Sequence, residues 1–190
     1  MSGPPASLPP DGPAGGGSPL DTGGGSPLDT GGGSPLDTGG RTVPADWIDY
    51  NGHMMDAYYF AAFTEATEAL LDHVGLGATY RAETGCGIYT AEAHLCFAGS
   101  AGAGERLRYS SQLLGCDSKR LHVFHRMTCE PGGQEVATIE LMFLHVDLAV
   151  QRVTAIPPAH RRAAITLAAE HAALPVPRAA GRAIAMARPG

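Results

Sequence analysis

The sequence predicts an α+β fold in which a curved antiparallel sheet wraps around one long helix, with a short helix towards the C-terminus. Three observations indicate this class. One stretch carries helical periodicity, four strand-like runs follow it without an intervening helix, and turn-forming segments divide those runs. Such strands pair antiparallel, because each parallel pair needs a long crossover connection.

The chain divides by composition into three segments. Residues 1–41 are predicted to be a disordered tail, 42–158 the folded domain, and 159–190 a helix with an irregular extension. From Ser18 the tail repeats SPLDTGGG with a period of eight, and Gly, Ser and Pro dominate it. One leucine per repeat cannot offset the entropy lost when the rest becomes ordered.

Charge and hydropathy exclude several kinds of partner. The total formal charge is -6, and the residues before Arg41 hold four aspartates and no Lys or Arg, so the rest of the chain lies near -2. Nucleic acid and anionic lipid both need a cluster of positive charge, which is missing. No run approaches the ~20 apolar residues of a membrane-spanning helix, and the N-terminus lacks a secretory signal. We therefore expect a soluble, cytoplasmic protein, whose four widely spaced cysteines are free thiols.

The long helix is predicted over residues 57–74. Apolar side chains recur on one helical face from Tyr59 to Val74, and Asp56 is placed to cap the start. Gly75 provides a stop.

The strands are predicted in meander-like order after that helix. Their β-branched and apolar runs cover residues 88–97, 106–114, 121–129 and 136–146. An alanine-rich helix then begins after Pro157 and Pro158 and extends to about Leu174.

The polar turn before the long helix is the strongest candidate for chemistry. Asp49, Asn51 and His53 place a carboxylate, an amide and an imidazole directly before the helix. Unpaired backbone N–H groups at the helix start, around Met55 and Asp56, suit a carbonyl oxygen that gains negative charge. The carboxylate could attack the carbon or activate water. The alternative from spacing alone is an Asx-turn and helix cap without catalysis.

This segment, DYNGHMMDAYYFAAFTEA, resembles the DxDxxGHVNNxxYxxxFEEA segment of hotdog-fold acyl-coenzyme A (CoA) thioesterases. Downstream, YTAEAHL, LLGCDSKRLHVFHRM and ATIELMFLHVD are similar to betainyl-CoA thioesterases. The resemblance implies a hotdog fold, hydrolysis of a small acyl-CoA with betainyl-CoA preferred, and a homodimer or homotetramer with sites at the subunit interface. Met55 and Asp56 stand where the family usually has two asparagines.

The resemblance also implies roles for single residues. Asp49 corresponds to the nucleophile or general base, with Asn51 and His53 orienting substrate or water. Glu65 corresponds to the acidic position within the helix, although a solvated glutamate fits helical geometry equally well.

Further residues are candidates for substrate contacts. Strand alternation puts Thr90, Glu92 and His94 on one face, which needs either solvent or a lined cavity, and the resemblance favours the cavity. A quaternary ammonium needs aromatic faces, and those available are Trp47, Tyr50, Tyr58, Tyr59 and Tyr89. Lys119 and Arg120 after a turn form the best basic pair for the CoA phosphates.

No metal or cofactor is expected. His122 and His125 form the only close histidine doublet on a predicted strand, and a spacing of three puts them on opposite faces. Two other functions remain open at this stage: a hotdog hydratase, which uses similar residues to add water to an enoyl double bond, and a non-catalytic acyl-CoA sensor.

Overall fold

The computed structural model describes residues 33–186 and confirms the predicted α+β class. The helices are α1 (Asp56–His73), α2 (Ala78–Thr84) and α3 (Pro158–His171), with a 3-10 turn at Ala45–Trp47. The strands are β1 (Leu36–Thr42), β2 (Cys86–Phe97), β3 (Arg106–Cys116), β4 (Arg120–Glu130), β5 (Gln134–Asp147) and β6 (Arg152–Val153). The predicted long helix and four long strands are each present, with every end within two residues of its prediction, whereas β1, α2 and β6 were not predicted.

The sheet is antiparallel, with strand order β1-β3-β4-β5-β2 and β6 beside β5. The predicted meander order is therefore wrong for β2, which pairs along its whole length with β5. Strand β1 already occupies the free edge of β3, so the open edge of β5 is the place where β2 can pair. As a result β2 is the last strand at one side of the sheet.

Strand β1 lies within the stretch that was assigned to the tail, so the tail prediction is wrong for residues 36–41. The third repeat supplies this strand, and its polar groups find partners on β3: Thr38 Oγ1 lies 2.8 Å from Ser111 Oγ, and Arg108 pairs with Asp37 at 2.6 Å. The tail was predicted from its low content of apolar side chains, and that content gives no information on pairs between polar side chains. Residues 1–32 and 187–190 lie outside the described part, and the boundary near 158 stays a prediction.

The core lies between α1 and the concave face of the sheet. The helix buries Tyr59, Ala62, Phe63, Ala66 and Leu70. These pack against alternate residues of β3, β4 and β5, including Leu107, Tyr109, Val123, Met127, Ile139, Leu141 and Phe143. Full burial of a large apolar side chain contributes ~1.5–3 kcal/mol, so this layer is the main source of stability.

The start of α1 differs from the prediction in one respect. Asp56 is the first helical residue and not the cap, and the N-cap Met55 makes no side-chain hydrogen bond there. The first turn of the helix thus has no side chain that satisfies its N–H groups.

The segment that follows α3 partly covers the outer face of the sheet, and α3 itself packs against β3. Beyond the start of β1, the backbone N–H of Leu113 on β3 donates to His171 Nδ1 at 2.8 Å, so α3 protects this stretch of edge. A cavity of about 800 Å³ lies between the outer face, at residues such as Phe124 and Thr138, and residues 174–182. Among the described residues no helix is long and apolar enough to cross a membrane.

A buried polar network joins the helix to the sheet. His125 on β4 is fully buried, with Nδ1 2.6 Å from Ser111 Oγ and Nε2 3.1 Å from Thr67 Oγ1 on α1. Ser111 also meets Thr38, so the chain of bonds runs from α1 through β4 and β3 to β1. Burial lowers the pKa of His125 to about 3, and the ring is neutral near pH 7.

The free energy of unfolding should fall as the pH decreases from about 6.5 towards 4, by up to ~1.4 kcal/mol per pH unit. The unfolded chain protonates His125 near its ordinary pKa, whereas the folded chain does not until about pH 3. The unfolded state thus binds more protons in this window and is favoured by acid. Urea denaturation at several pH values measures the slope, which should shrink in His125→Gln and persist in a variant of the exposed His53, His53→Gln. An unchanged slope in His125→Gln would contradict this assignment.

Candidate active site

The turn from Asp49 to His53 is a closed loop in which the Asp49 carboxylate is the central acceptor. Its Oδ1 accepts the backbone N–H groups of Asn51 at 2.8 Å and His53 at 3.3 Å, and Oδ2 accepts the Asn51 side-chain amide at 3.2 Å. The Asp49 N–H donates to the His53 carbonyl at 2.9 Å, and Gly52 adopts a φ of 81°, which favours glycine. The structure therefore brings together three of the predicted catalytic residues.

The hydrogen bonds determine the charge state of Asp49. Partial burial acts to raise its pKa, but the N–H groups of Asn51 and His53 outweigh this effect, and the net result is a pKa below the ordinary value. The group is a carboxylate at neutral pH. It is half-buried, while Asn51 and His53 are exposed, so a substrate can reach the turn from solvent.

The predicted oxyanion site needs a correction. The Met55 N–H donates to the Trp47 carbonyl at 2.9 Å and is committed to the turn. Among the hydrogen bonds of residues 33–186, none is donated by the N–H of Asp56 or Ala57. These two groups are therefore the free donors at the positive end of α1, and Ala57 was missed because apolar alanine carries no sequence signal for a backbone role.

The aromatic candidates are not equivalent. The ring of Trp47 stacks on Tyr58, with centroids 4.7 Å apart and planes 4° from parallel, and the Arg41 guanidinium lies 4.0 Å from the same ring. Two groups this close to one ring must lie on opposite faces. Both faces of Trp47 are thus covered, which leaves no face free for a substrate cation, contrary to the prediction.

Tyr59 and Tyr50 differ in their exposure to solvent. Tyr59 is 2% exposed and its hydroxyl accepts the Ala101 N–H at 3.1 Å, so it is a core residue and the prediction that it contacts substrate is wrong. Tyr50 is 97% exposed and lies within the Asp49 turn. Its ring is the free aromatic surface next to the carboxylate.

Glu65 lies on α1 and is held in an ion pair. Its Oε1 is 2.5 Å from Nη1 of Arg41, the residue that also covers Trp47. From Asp56 to Glu65 the helix rises ~13 Å. Glu65 therefore lies apart from the Asp49 turn and positions Arg41, and Arg41 was not singled out because its strand was not predicted.

The residues predicted together on β2 are separated by a bulge. Thr90 pairs with Phe143 and Glu92 with Met142, so one extra residue lies between them and reverses the alternation. Glu92 and His94, which pairs with Glu140, share the outer face, whereas Thr90 lies on the helix side. Tyr89 is 47% exposed and belongs to the outer face with Leu144.

The predicted basic pair lies far from Asp49 within one chain. Lys119 and Arg120 lie in the β3–β4 turn, where Asp117 accepts both of their backbone N–H groups at 2.8 Å and pairs with the Arg120 side chain. The Asp49 turn lies at the other end of β3, next to Ala101. The 11 residues of β3 span ~33 Å, so one chain does not bring the two groups together.

The site is thus an open turn on a single chain rather than a closed pocket. None of the predicted site residues lines the cavity of about 800 Å³ on the outer face. Within residues 33–186, no group of three His, Cys, Asp or Glu side chains is arranged to hold a metal ion.

Comparison with known proteins agrees with this geometry. The model of the thioesterase-like superfamily matches residues 43–164. A betainyl-CoA thioesterase of Pseudomonas aeruginosa is 40% identical over 141 residues, which are 74% of this chain and 89% of that protein. An L-carnitine dehydrogenase/betainyl-CoA thioesterase of Agrobacterium fabrum is 44% identical over 77% of this chain, but the match spans only 30% of that longer protein.

Solved structures show the same fold. A putative thioesterase of Pseudomonas putida superposes with a TM-score of 0.70 and 32% identity, over 82% of this chain and 99% of that one. A hypothetical protein of Staphylococcus aureus, solved in complex with CoA, gives a TM-score of 0.73 at 24% identity, over 80% and 97%. The chain belongs to the thioesterase-like superfamily and is an acyl-CoA thioesterase with the hotdog fold.

Proposed function

We propose that this chain hydrolyses betainyl-CoA to glycine betaine and CoA. The observation that carries the proposal is the half-buried, ionised Asp49 carboxylate, held directly before the uncapped start of α1, in a chain 40% identical to a betainyl-CoA thioesterase over 89% of that protein. All four cysteines are free, which fits the reducing cytoplasm that we propose as its location.

The reaction uses the two ends of this turn. The thioester carbonyl oxygen takes hydrogen bonds from the N–H groups of Asp56 and Ala57 as it becomes negative. Asp49 either attacks the carbonyl carbon or removes a proton from the attacking water. A C–O bond forms, the C–S bond breaks, and CoA leaves as a thiolate that is then protonated. If Asp49 is the nucleophile, the new bond is an anhydride between the acyl group and Asp49, and a water molecule then cleaves it to release glycine betaine and restore the carboxylate. Asn51 holds the carboxylate in place, and both roles of Asp49 need its ionised form.

The cationic end of the substrate fits the charge of the site. A trimethylammonium group cannot donate a hydrogen bond and binds aromatic faces and carboxylates. Tyr50 offers such a face, and Asp49 carries a negative charge that no Lys or Arg of residues 33–186 pairs with.

We propose a homodimer formed through β2. This strand is 12 residues long, and among the described residues one of its edges pairs with β5 while the other has no partner. A long unpaired edge is a site for strand addition, and a two-fold axis lets β2 pair antiparallel with its own copy. Residues 89–93 are all exposed, Tyr89 among them, which supports this edge as the contact.

The antiparallel arrangement has a consequence for CoA. The Phe97 end of β2 leads to Ala101 and the Asp49 turn, whereas the Cys86 end lies beside Asp147. Near that second end, the His145 N–H donates to the Lys119 carbonyl. Two antiparallel copies of β2 therefore place Lys119 and Arg120 of the partner subunit at the same end as Asp49. We propose that they bind the CoA phosphates there.

Asp49→Asn should lower kcat for betainyl-CoA by at least ~100-fold, because the amide is neither a nucleophile nor a base at this pH. Thiol release from purified enzyme measures this, with circular dichroism to establish that the variant is folded.

The neutral isostere 3,3-dimethylbutyryl-CoA tests whether the positive charge of the substrate is recognised. Its kcat/KM should be ~10-fold or more lower than that of betainyl-CoA, and Tyr50→Leu should reduce the difference between the two substrates. Equal turnover of both substrates would remove the case for betainyl-CoA, and full activity of Asp49→Asn would remove Asp49 from the mechanism.

The lowered pKa of Asp49 predicts the pH profile. The carboxylate is the active form, and a pKa below the ordinary value of 3.8 keeps it ionised above pH 5. The acid limb of kcat/KM due to Asp49 should thus lie below about pH 4, with a flat rate between pH 5 and 7. Short assays in buffers of matched ionic strength measure it. A limb near pH 6 would assign the essential base to another group.

Mixed dimers test the shared site. One chain carries Asp49→Asn and the other carries Lys119→Glu with Arg120→Glu, and both variants should be nearly inactive alone. If each site uses Asp49 of one subunit and the basic pair of its partner, about half of the dimers in an equal mixture are mixed and each regains one site, or ~25% of wild-type activity. No recovery in a mixture whose mixed dimers are detected by native mass spectrometry would place both groups in the same subunit.

A further inference from the structure

Strand β1 meets requirements that are specific to its sequence. Leu36 packs against the core, Asp37 accepts a hydrogen bond from Arg108 at 2.6 Å, and Thr38, 6% exposed, bonds to Ser111 at 2.8 Å. Three successive positions of the strand therefore need an apolar, an acidic and a hydroxyl side chain.

The next two positions need glycine. Gly39 has a φ of 95°, in the left-handed region that other residues rarely adopt. At Gly40 a Cβ atom would lie 2.1 Å from the carbonyl oxygen of Leu107, which is backbone of β3 and cannot turn aside. The position on the edge of β3 thus selects the sequence Leu-Asp-Thr-Gly-Gly.

The chain contains this sequence three times. It occurs at 20–24 and 28–32 as well as at 36–40, each time after Ser-Pro. We infer that the three copies are interchangeable occupants of the β1 position, so that the second or first copy can pair with β3 while the residues after it form a loop before Arg41. Every contact described for Leu36 to Gly40 has an equivalent residue in each copy.

The copies are nevertheless ranked. The third copy runs directly into Arg41 and needs no loop, which explains its place in the structure. The second copy requires a loop of eight residues, 33–40, and the first a loop of sixteen, 25–40. Since closure entropy rises with the logarithm of loop length, doubling the loop lowers the population about threefold. Exchange should thus become visible when the third copy is disabled.

Valine substitutions in the full-length chain test the exchange. Gly40→Val blocks the third copy, Gly24→Val with Gly32→Val blocks the other two, and the triple variant blocks all three. We expect a wild-type Tm for the double variant, and for Gly40→Val a loss of Tm no more than about half that of the triple variant. An equal loss in Gly40→Val and the triple variant, or no loss in either, would overturn the inference.

A disulfide identifies the strand that is bound. Thr38→Cys with Ser111→Cys is the reference pair, since the two side chains meet in β1. In a Gly40→Val chain, Thr30→Cys with Ser111→Cys should form an intrachain disulfide, and Thr22→Cys with Ser111→Cys about one third as much, as found by peptide mapping under oxidising conditions. Absence of both bonds, or bonds only between two chains, would overturn exchange within one chain. Thioesterase activity is not a readout here, so the result does not depend on the proposed function.

Discussion

The packing of α1 against the concave face of the sheet is the constraint on which the site depends. It fixes where the helix begins, and Ala101 fixes the turn before it: the Ala101 carbonyl accepts the Met54 N–H at 2.8 Å, and its N–H donates to the Tyr59 hydroxyl at 3.1 Å. Met54, Tyr59 and Ala101 are all buried. The Asp49 turn is therefore anchored to both the helix and the sheet, although Asn51 and His53 are exposed to solvent.

The sequence predicted those features that depend on periodicity or on local turn chemistry. The helix and four strands follow from side-chain spacing, and the Asp49 turn follows from a carboxylate, an amide and a glycine in one short segment. Features that depend on a distant partner were missed. Strand β1 forms because Asp37 and Thr38 pair with Arg108 and Ser111, which are distant in the sequence. The segment YTAEAHL likewise has no residue that predicts the bulge that moves Thr90 to the other face. One face of the Trp47 ring is covered by Arg41, which is a residue of the unpredicted strand.

In the proposed dimer, each site combines residues of two subunits. The catalytic turn lies at one end of the sheet and the basic turn with Lys119 at the other, and the strand that links these ends in the proposed dimer is the one with a free edge. Pairing β2 with an antiparallel copy would fill the unpaired edge and would bring the Lys119 turn of the partner subunit to the Asp49 turn. The same contact would cover the exposed backbone that a long edge strand leaves to solvent.

The low pKa of Asp49 is consistent with the proposed substrate on chemical grounds. A weakly basic carboxylate is a modest base and nucleophile, so it suits a carbonyl that is already electrophilic. In betainyl-CoA the fixed positive charge lies one methylene from the carbonyl carbon and withdraws electron density from it. The same charge is attracted to Asp49, whose ionised form the hydrogen bonds of Asn51 and His53 maintain. These hydrogen bonds lower the basicity of Asp49, but they also keep it fully ionised. For a substrate with a cationic acyl group, the negative charge of Asp49 matters more than its basicity.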